Sequence, residues 1–509
     1  MKTILRPVNG HILDIEPLEL SDQVLSLAQN VHMRSGFPSR IRGRRSVYPG
    51  SPSTRYHLLN FSLNSFNWWL LFGASDIVAA ETSNIYDVSI PSQTAITNPY
   101  EWSSTLLNGI PVFTNGKNIP HYWTGDSADD SLPLPGWPAN TLCKFIVAFK
   151  FHLFALDIDS PSGVFNNLIL WSDATEPGAV PDSWTPGADN EAGSAFLADS
   201  PGRCVSGAPL GTQLMIYKPT SFHALEYAGQ PPDNIFVVRP VVRSTGLISP
   251  HALKTIGTQQ AVVGNEDVVL TDGINVRSIA DNRIKQTLKN SIDETYSQNV
   301  FTIYDDHARE LWVCVPEPGS QFATIAHIWD ERRDNWTIRD LDTVSPIKYG
   351  TVGYVTDTLP SQIWDDDSEP WDDDLTVWNE SQQGGVQRVV VSETAAVMME
   401  DVPETNLVNA VIQRLDLSFN DADQRKVTSH VTIEGKGTGL STLLVRLGSR
   451  NSTEEGVGIQ WGPYVQRKAG GNEYEVTGRF ISVEVSNNTS AEPWTVTRIT
   501  IEAEYDGTF

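Results

Sequence analysis

The chain has 509 residues, of which 40% are hydrophobic, and its formal net charge is −26. This length exceeds the roughly 250–300 residues at which a single core stops growing, so we expect two or more modules. The 15 tryptophans, 18 phenylalanines and 14 tyrosines provide ample core material, which excludes a disordered protein. An acidic surface repels phosphate backbones, and the composition therefore also argues against tight DNA binding.

The sequence contains no signal for membrane insertion or secretion. Its first residues lack the apolar core of a secretory signal, and no stretch approaches the roughly 20 apolar residues that span a bilayer. Three widely spaced cysteines, Cys143, Cys204 and Cys314, predict neither a disulfide framework nor a metal pair. We therefore expect a soluble protein that is made in the cytoplasm, without membrane insertion.

A basic segment interrupts the acidic chain near its start. From Gln23 to Ser75 there is no Asp or Glu, while six arginines occur there. Such a segment favours docking onto an acidic subunit or a phosphate-bearing partner, so we predict residues 1–55 as an N-terminal docking arm. The predicted docking residues are Arg34, Arg40, Arg42, Arg44 and Arg45. On this hypothesis, replacing the last four by Ser leaves the monomer folded. The alternative is that carboxylates elsewhere in the same fold balance these charges.

Hydrophobic periodicity predicts strands along most of the chain. Short apolar runs are separated by turn signals such as Asn115-Gly116 and Asp272-Gly273. The hairpin clusters recur roughly every 40–55 residues, a period typical of propeller blades. We predict a mainly β fold with a β-propeller-like core over residues 56–360, and two stacked β-sandwiches are the alternative. Helical spacing is confined to Ser21 to Val31, within the N-terminal arm, and to the stretch around Leu288.

A tryptophan repeat follows in an acidic segment over residues 361–405. Trp364, Trp371 and Trp378 are spaced by seven, but the Asp and Pro residues between them disfavour a helix. Large amphipathic rings are enriched at protein interfaces, so we predict these three as interface aromatics. The alternative is that the indoles fold back onto their own domain. Beyond them, residues 406–509 alternate like antiparallel strands, which predicts either a C-terminal β-domain or strands that close the propeller.

No catalytic or cofactor motif is found in the sequence. A G-x-S-x-G elbow, an H-E-x-x-H helix, a Walker loop and a dinucleotide fingerprint are all missing. We therefore predict that the protein is not an enzyme and uses no metal or cofactor. Because the two carboxylates of a glycosidase leave no linear signature, a glycan hydrolase stays an open alternative.

Three stretches resemble the tail nozzle proteins of short-tailed bacteriophages, also called tail tubular protein B or packaged-DNA stabilisation proteins. The first is residues 25–50, which resemble the family's opening pattern of an Ala- and Asn-containing helix, then Gly and an Arg-rich turn that leads into the first strands. The second is residues 169–184, where a strand ending in Trp-Ser leads through an acidic, Pro-containing turn to a closing Trp. Its matching residues are Trp171, Ser172, Asp173, Pro177 and Trp184. The third is the tryptophan repeat.

The resemblance implies a mechanical role. Nozzle proteins form a homohexameric tube in the virion tail, below the portal and its adaptor ring. They retain packaged DNA and carry fibre, spike or plug proteins. During genome ejection they conduct double-stranded DNA, which occupies the lumen transiently without tight binding. On this reading the basic segment docks onto the adaptor or an adjacent subunit. Two alternatives come from other classes: a β-propeller enzyme that hydrolyses glycans, and a glycan-binding module.

Overall fold

The structure is a computed structural model with strands throughout the chain. It describes residues 1–48, 53–81, 84–230, 234–242, 244–341, 345–355, 386–394, 396–402, 408–454, 456–487 and 492–506. These residues form a β-propeller and a β-sandwich, so the predicted mainly β fold class with a propeller core and a C-terminal antiparallel block is confirmed.

The N-terminal segment consists of short strands. They are β1 (Lys2–Leu5), β2 (Leu27–Gln29), β3 (Val31–His32), β4 (Ser39–Arg40) and β5 (Gly43–Val47). The helix predicted over Ser21 to Val31 is wrong, because β2 pairs with residues 411–413 on one side and with Ile338 on the other. Within β2, Ala28 is buried between two half-buried residues, which is strand alternation, but three residues are too few for it to stand out from the helical spacing of Val24, Ala28 and Val31.

Six four-stranded antiparallel blades follow, each built from consecutive strands, and in each the first strand is innermost. The first two blades comprise β6 (Arg55–Leu63), β7 (Phe66–Gly73), β8 (Ile77–Glu81), β9 (Asn84–Asp87) and β10 (Ser103–Leu107), β11 (Ile110–Thr114), β12 (His121–Tyr122), β13 (Leu132–Pro133). The next two comprise β14 (Leu142–Phe149), β15 (His152–Ser160), β16 (Gly163–Trp171), β17 (Gly193–Phe196) and β18 (Ser206–Leu210), β19 (Gln213–Tyr217), β20 (Phe222–Gln230), β21 (Asn234–Val242). The fifth and sixth comprise β22 (Leu253–Ile256), β23 (Gln259–Val263), β24 (Val268–Thr271), β25 (Val276–Ser278) and β26 (Phe301–Asp305), β27 (Glu310–Val315), β28 (Ile325–Asp330), β29 (Asn335–Asp340).

The seventh blade closes the ring with a strand from the other end of the chain. It contains β30 (Tyr349–Val355), β31 (Val386–Ser392) and β32 (Val397–Val402), and its outermost strand is β5. In this pairing Val397 lies opposite Val47 and Met399 lies opposite Arg45. The innermost strand β30 lies beside both β26 and β6, which completes a seven-bladed propeller. Closure by an N-terminal strand ties the two ends of the ring together.

Helices are few and short in the described residues. The helix predicted around Leu288 is confirmed as α1 (Lys285–Ser291). Four 3-10 helices occupy Pro17–Glu19, Pro99–Glu101, Ser297–Asn299 and Thr438–Thr442.

The C-terminal strands form a sandwich with the N-terminal ones. They are β33 (Ala410–Leu417), β34 (Lys426–Lys436), β35 (Leu444–Arg450), β36 (Gln460–Trp461), β37 (Val465–Gln466), β38 (Asn472–Gly478), β39 (Phe480–Asn487) and β40 (Thr495–Tyr505). One sheet runs β3-β4-β40-β34-β38, with β1 also paired to β40. The other runs β2-β33-β39-β35-β36 and continues through β2 into blade six. The C-terminal block is therefore a sandwich rather than the closing part of the propeller.

Candidate functional site

Residues 25–47 form a junction between the sandwich and two propeller blades. We call this the N-terminal junction. Strand β2 lies between β29 of blade six and β33 of the sandwich, and β5 lies on the edge of blade seven. The junction makes up most of the first stretch that resembles nozzle proteins, residues 25–50.

Asn30 fixes the turn that follows β2. Its backbone is left-handed, with φ of 54°, a conformation that Asn adopts more readily than most residues. The side-chain Nδ2 donates to a carboxylate oxygen of Asp340 at 2.9 Å and to the carbonyl of Asn409 at 2.7 Å. Its Oδ1 accepts from the Asp340 backbone N–H at 2.9 Å. One amide side chain therefore connects the last residue of blade six to the start of the sandwich strand.

Arg34 connects blades six and seven through carboxylates. Its Nε and Nη2 donate to the two oxygens of Glu310 at 2.9 and 2.8 Å, and its Nη1 donates to Asp401 at 2.5 Å. Glu310 begins β27 and Asp401 lies in β32. The planar fork of arginine suits such a two-pronged contact, which fixes geometry as well as charge.

Arg44 and Arg339 meet the same carboxylate, Glu400, in the buried part of the junction. Arg44 Nε lies 2.8 Å from Glu400 and its Nη1 lies 2.9 Å from Glu393. Arg339, in β29, pairs with the other oxygen of Glu400 and lies over the Trp312 ring at 4.9 Å. Blade six, blade seven and β5 are thus joined through one buried carboxylate.

The electrostatics of the junction favour its charged form at neutral pH. Burial alone would raise the pKa of Asp401, but the charges of Arg34 and Arg339 hold that pKa well below its ordinary value. Burial, aided by the charge of Arg34, lowers the pKa of His32 to about 4. His32 is therefore neutral at pH 7 while the carboxylate beside it is ionised.

The predicted docking residues differ in their surroundings. Arg34 and Arg44 form ion pairs with carboxylates of their own chain. For these two residues the structure agrees with the alternative, in which carboxylates elsewhere in the same fold balance the basic segment. Arg40 is buried, and its Nη2 donates to the Val408 carbonyl at 3.1 Å. Arg45 is half-buried, and Arg42 is exposed. The segment predicted as a docking arm lies within the sheets of its own chain, and docking stays a prediction for which Arg42 is best placed.

The second resembling stretch, residues 169–184, leads out of β16 in blade three. Trp171 Nε1 donates to the Glu191 carbonyl at 2.8 Å, and Ser172 Oγ accepts from the Leu153 backbone N–H at 3.0 Å. Trp184 is buried and packs edge-on against Trp137, with 4.6 Å between ring centroids. The two tryptophans of this stretch thus anchor a long loop onto its blade. The third stretch, with Trp364, Trp371 and Trp378, lies outside the described residues.

A cluster of rings that sequence reasoning missed fills the centre of the propeller. His57 from blade one stacks on His251, which precedes blade five, with 5.1 Å between centroids, and Tyr349 of blade seven contacts both. His57 Nε2 lies 2.7 Å from Ser104 Oγ, and His251 Nε2 lies 3.2 Å from the Pro99 carbonyl. Burial lowers the pKa of His251 to about 4. No local signal could reveal this cluster, since its members are far apart in sequence.

Other candidate chemistry is sparse in the part of the chain that the structure describes. There, no three His, Cys, Asp or Glu side chains converge as metal ligands, and no helix has the length and apolar character to cross a bilayer. Cys143, Cys204 and Cys314 are free and buried. Burial raises the pKa of Cys143 and of Cys204 to about 12, so both are thiols at neutral pH.

Comparison with known proteins gives two distant structural likenesses and no sequence match. No family model and no curated protein matches the sequence. Among solved structures, one described as YCF48 bound to D1 peptide has a TM-score of 0.38 and 9% identity, covering 72% of this chain and 96% of that chain. Another, BBS1N in complex with ARL6DN, has a TM-score of 0.31 and 10% identity, covering 51% of this chain and 74% of that chain. Both are similar in being β-propellers, and at these TM-scores the likeness goes no further.

Proposed function

We propose that the chain is a tail nozzle protein, a structural component of the virion tail that forms a homohexameric tube and conducts DNA during genome ejection. The observation that carries the proposal is the N-terminal junction. Modules joined by a simple linker are expected to move relative to one another. Here a continuous sheet, β29-β2-β33, runs from the propeller into the sandwich. A tube wall that transmits force between its modules requires such a hinge-free connection.

The charge of the chain supports the same role. Six copies carry six times −26, or −156 formal charges. Double-stranded DNA binds proteins largely through Lys and Arg that replace its counterions, and a strongly acidic lumen repels it instead. DNA inside such a tube stays mobile and can slide.

The partners follow from the position of a nozzle in the tail. An adaptor protein lies above the ring, and fibre, spike or plug proteins attach outside or below it. Arg42, an exposed residue of the N-terminal junction, is the residue we assign to contact with an acidic neighbour.

On this proposal the protein catalyses no reaction. The alternative is a propeller that binds or hydrolyses glycans. Incubating the full chain with host envelope polysaccharide distinguishes the nozzle from a glycan hydrolase. Release of reducing sugar that a single carboxylate substitution abolishes would contradict the structural role, whereas no release under assembly conditions agrees with it.

Assembly on the adaptor tests the proposal directly. The purified chain is added to a portal and adaptor complex, and the mass gained is measured by native mass spectrometry. Six copies of 56.2 kDa, about 337 kDa, are expected to bind. Arg42→Ser should weaken binding, whereas the control Arg277→Ser, at an exposed position in blade five, should not. No added mass, or a copy number other than six, would contradict the nozzle.

A further inference from the structure

A polar cavity opens on the face of the propeller where the innermost strands begin. Its volume is about 410 Å³, within the range of small-molecule sites. Segments that precede the first strands of blades two, four, five and six line it, among them Tyr100, Arg203, Pro250 and Gln298. Blade three contributes residues of its first two strands. We call it the axial pocket. It lies apart from the N-terminal junction, and its role is independent of the proposed nozzle.

The axial pocket carries an excess of positive charge in an acidic protein. Three cationic side chains face two carboxylates there. Lys117 Nζ lies 2.5 Å from Glu101, and Lys144 Nζ lies 3.3 Å from Asp157. The third cation, Arg203, donates from Nη2 to the neutral amide of Gln298 at 3.2 Å. The lining therefore carries one positive charge more than negative, and the charge of Arg203 acts on Asp157 without a direct ion pair among the described residues.

Asp157, which lines this pocket, has one unsatisfied carboxylate oxygen. Its side chain is 2% exposed, and Oδ2 accepts from Lys144, whereas Oδ1 is buried without a hydrogen-bond partner among the described residues. Its φ of 56° falls at the β-bulge between Leu156 and Ile158, which re-aims the side chain out of the regular strand pattern. A buried acceptor without a donor is costly, and a ligand that donates to it would remove that cost.

We propose that the axial pocket binds a small monoanion that carries hydroxyl groups, in the chemical class of the sugar acids. The ligand carboxylate pairs with Arg203, and a ligand hydroxyl donates to Asp157 Oδ1. One unneutralised positive charge matches one carboxylate, whereas a phosphate monoester, with a charge near −1.5 to −2, would bring an excess of negative charge. The half-buried ring of Tyr100 provides an apolar face for the sugar carbons.

Isothermal titration calorimetry of the full chain with D-glucuronate tests this inference. We expect one saturable site per chain. Loss of a charge-assisted hydrogen bond should weaken binding about tenfold or more in Arg203→Gln and in Asp157→Asn. The matched control Arg277→Gln should bind like the unchanged chain. D-glucose, which lacks the carboxylate, and inorganic phosphate should both bind more weakly than D-glucuronate.

Several outcomes would overturn the proposal. They are the absence of saturable D-glucuronate binding, equal binding by Arg203→Gln, and tighter binding of phosphate, which would reveal a plain anion site. Thermal unfolding of each variant shows whether it is folded. Should Asp157→Asn fail to fold, Arg203→Gln alone decides, because that side chain is only half-buried. The number of chains bound to the adaptor is measured in a separate experiment. The proposal for the axial pocket and the proposal of a nozzle can therefore fail independently.

Discussion

Arg339 and Glu400 form an ion pair whose side chains are only 2% and 0% exposed. Arg339 lies in the outer strand of blade six and Glu400 in the third strand of blade seven, so the pair links neighbouring blades away from the central axis. Glu400 also pairs with Arg44 of β5, the strand that closes blade seven. A buried pair of this kind gives little net stability by itself, but removing one partner leaves the other charge buried and unpaired.

Removing the carboxylate of Glu400 should therefore destabilise the fold strongly. We expect Glu400→Gln to lower the free energy of unfolding by about 3–5 kcal/mol. Urea denaturation measures this loss, and the exposed Glu504→Gln should stay within about 0.5 kcal/mol of the unchanged chain. Replacing both partners, as Arg339→Met with Glu400→Leu, should cost less than the single change. A single variant as stable as the control would show that the pair does not connect the blades.

Arg44 and Arg42 offer a matched comparison on the closing segment. Arg44→Ala removes two ion pairs and should cost about 2–4 kcal/mol, since it leaves Glu400 short of one partner. Arg42→Ala removes an exposed side chain and should change stability by no more than about 0.5 kcal/mol. This replaces the sequence-based expectation that Arg40, Arg42, Arg44 and Arg45 can be changed together without unfolding the monomer. Equal melting temperatures of the two variants would argue against intramolecular closure.

The stacked histidines predict that acid destabilises the propeller. Burial lowers the pKa of His251 to about 4 and the pKa of His57 well below its ordinary value. An unfolded histidine titrates near about 6.5, so below that pH the unfolded chain binds protons that the native state excludes. This contribution to stability is complete above about pH 6.5 and is lost as the pH falls toward 4.

Urea midpoints at pH 7.5, 6 and 5 should therefore decrease in that order. The variant His57→Asn with His251→Asn should depend less steeply on pH, whereas His307→Asn, at an exposed position, should behave like the unchanged chain. A midpoint that stays constant from pH 7.5 to pH 5 would show that these rings are not held neutral by burial.

The tryptophan repeat supplies a prediction about assembly. If Trp364, Trp371 and Trp378 are interface anchors, changing all three to Ala leaves monomer stability nearly unchanged. Attachment to neighbouring subunits should weaken, because aromatic hot spots cost about 2 kcal/mol or more each when truncated.

The control for this triple change is Trp312→Ala, at a core position where truncation costs about 3–5 kcal/mol of monomer stability. Melting temperature and copy number on the adaptor are measured together. A triple variant that loses as much monomer stability as the control would place the repeat in a core.

Local signals explain what the sequence could predict. The turn signal at Asp272-Gly273 marks the hairpin of β24 and β25, where Gly273 has φ of 87°. The polar turn between Trp329 and Trp336 places the two residues directly opposite each other across β28 and β29. Because such hairpins recur at blade spacing, the propeller could be predicted from residues alone. The number of blades could not, since the seventh blade takes its outer strand from Gly43–Val47.

Long-range pairing explains what the sequence did not reveal. The arginines of the basic segment have no Asp or Glu near them in sequence. That pattern favours a docking surface. Their partners are remote in sequence: Glu310 is 276 positions and Asp401 is 367 positions from Arg34. The three residues of β2 are too few to show strand alternation, and its partner strands β29 and β33 are remote in sequence. Neither relationship has a local signature.

The most direct test of the proposed nozzle role is electron cryo-microscopy of the phage particles to which the proposal assigns this chain. The account predicts a ring of six copies in the tail, below the portal and its adaptor, each copy with its seven-bladed propeller and sandwich as one rigid unit around a DNA channel. Absence of the chain from the particle, or its location elsewhere in a different copy number, would contradict the nozzle.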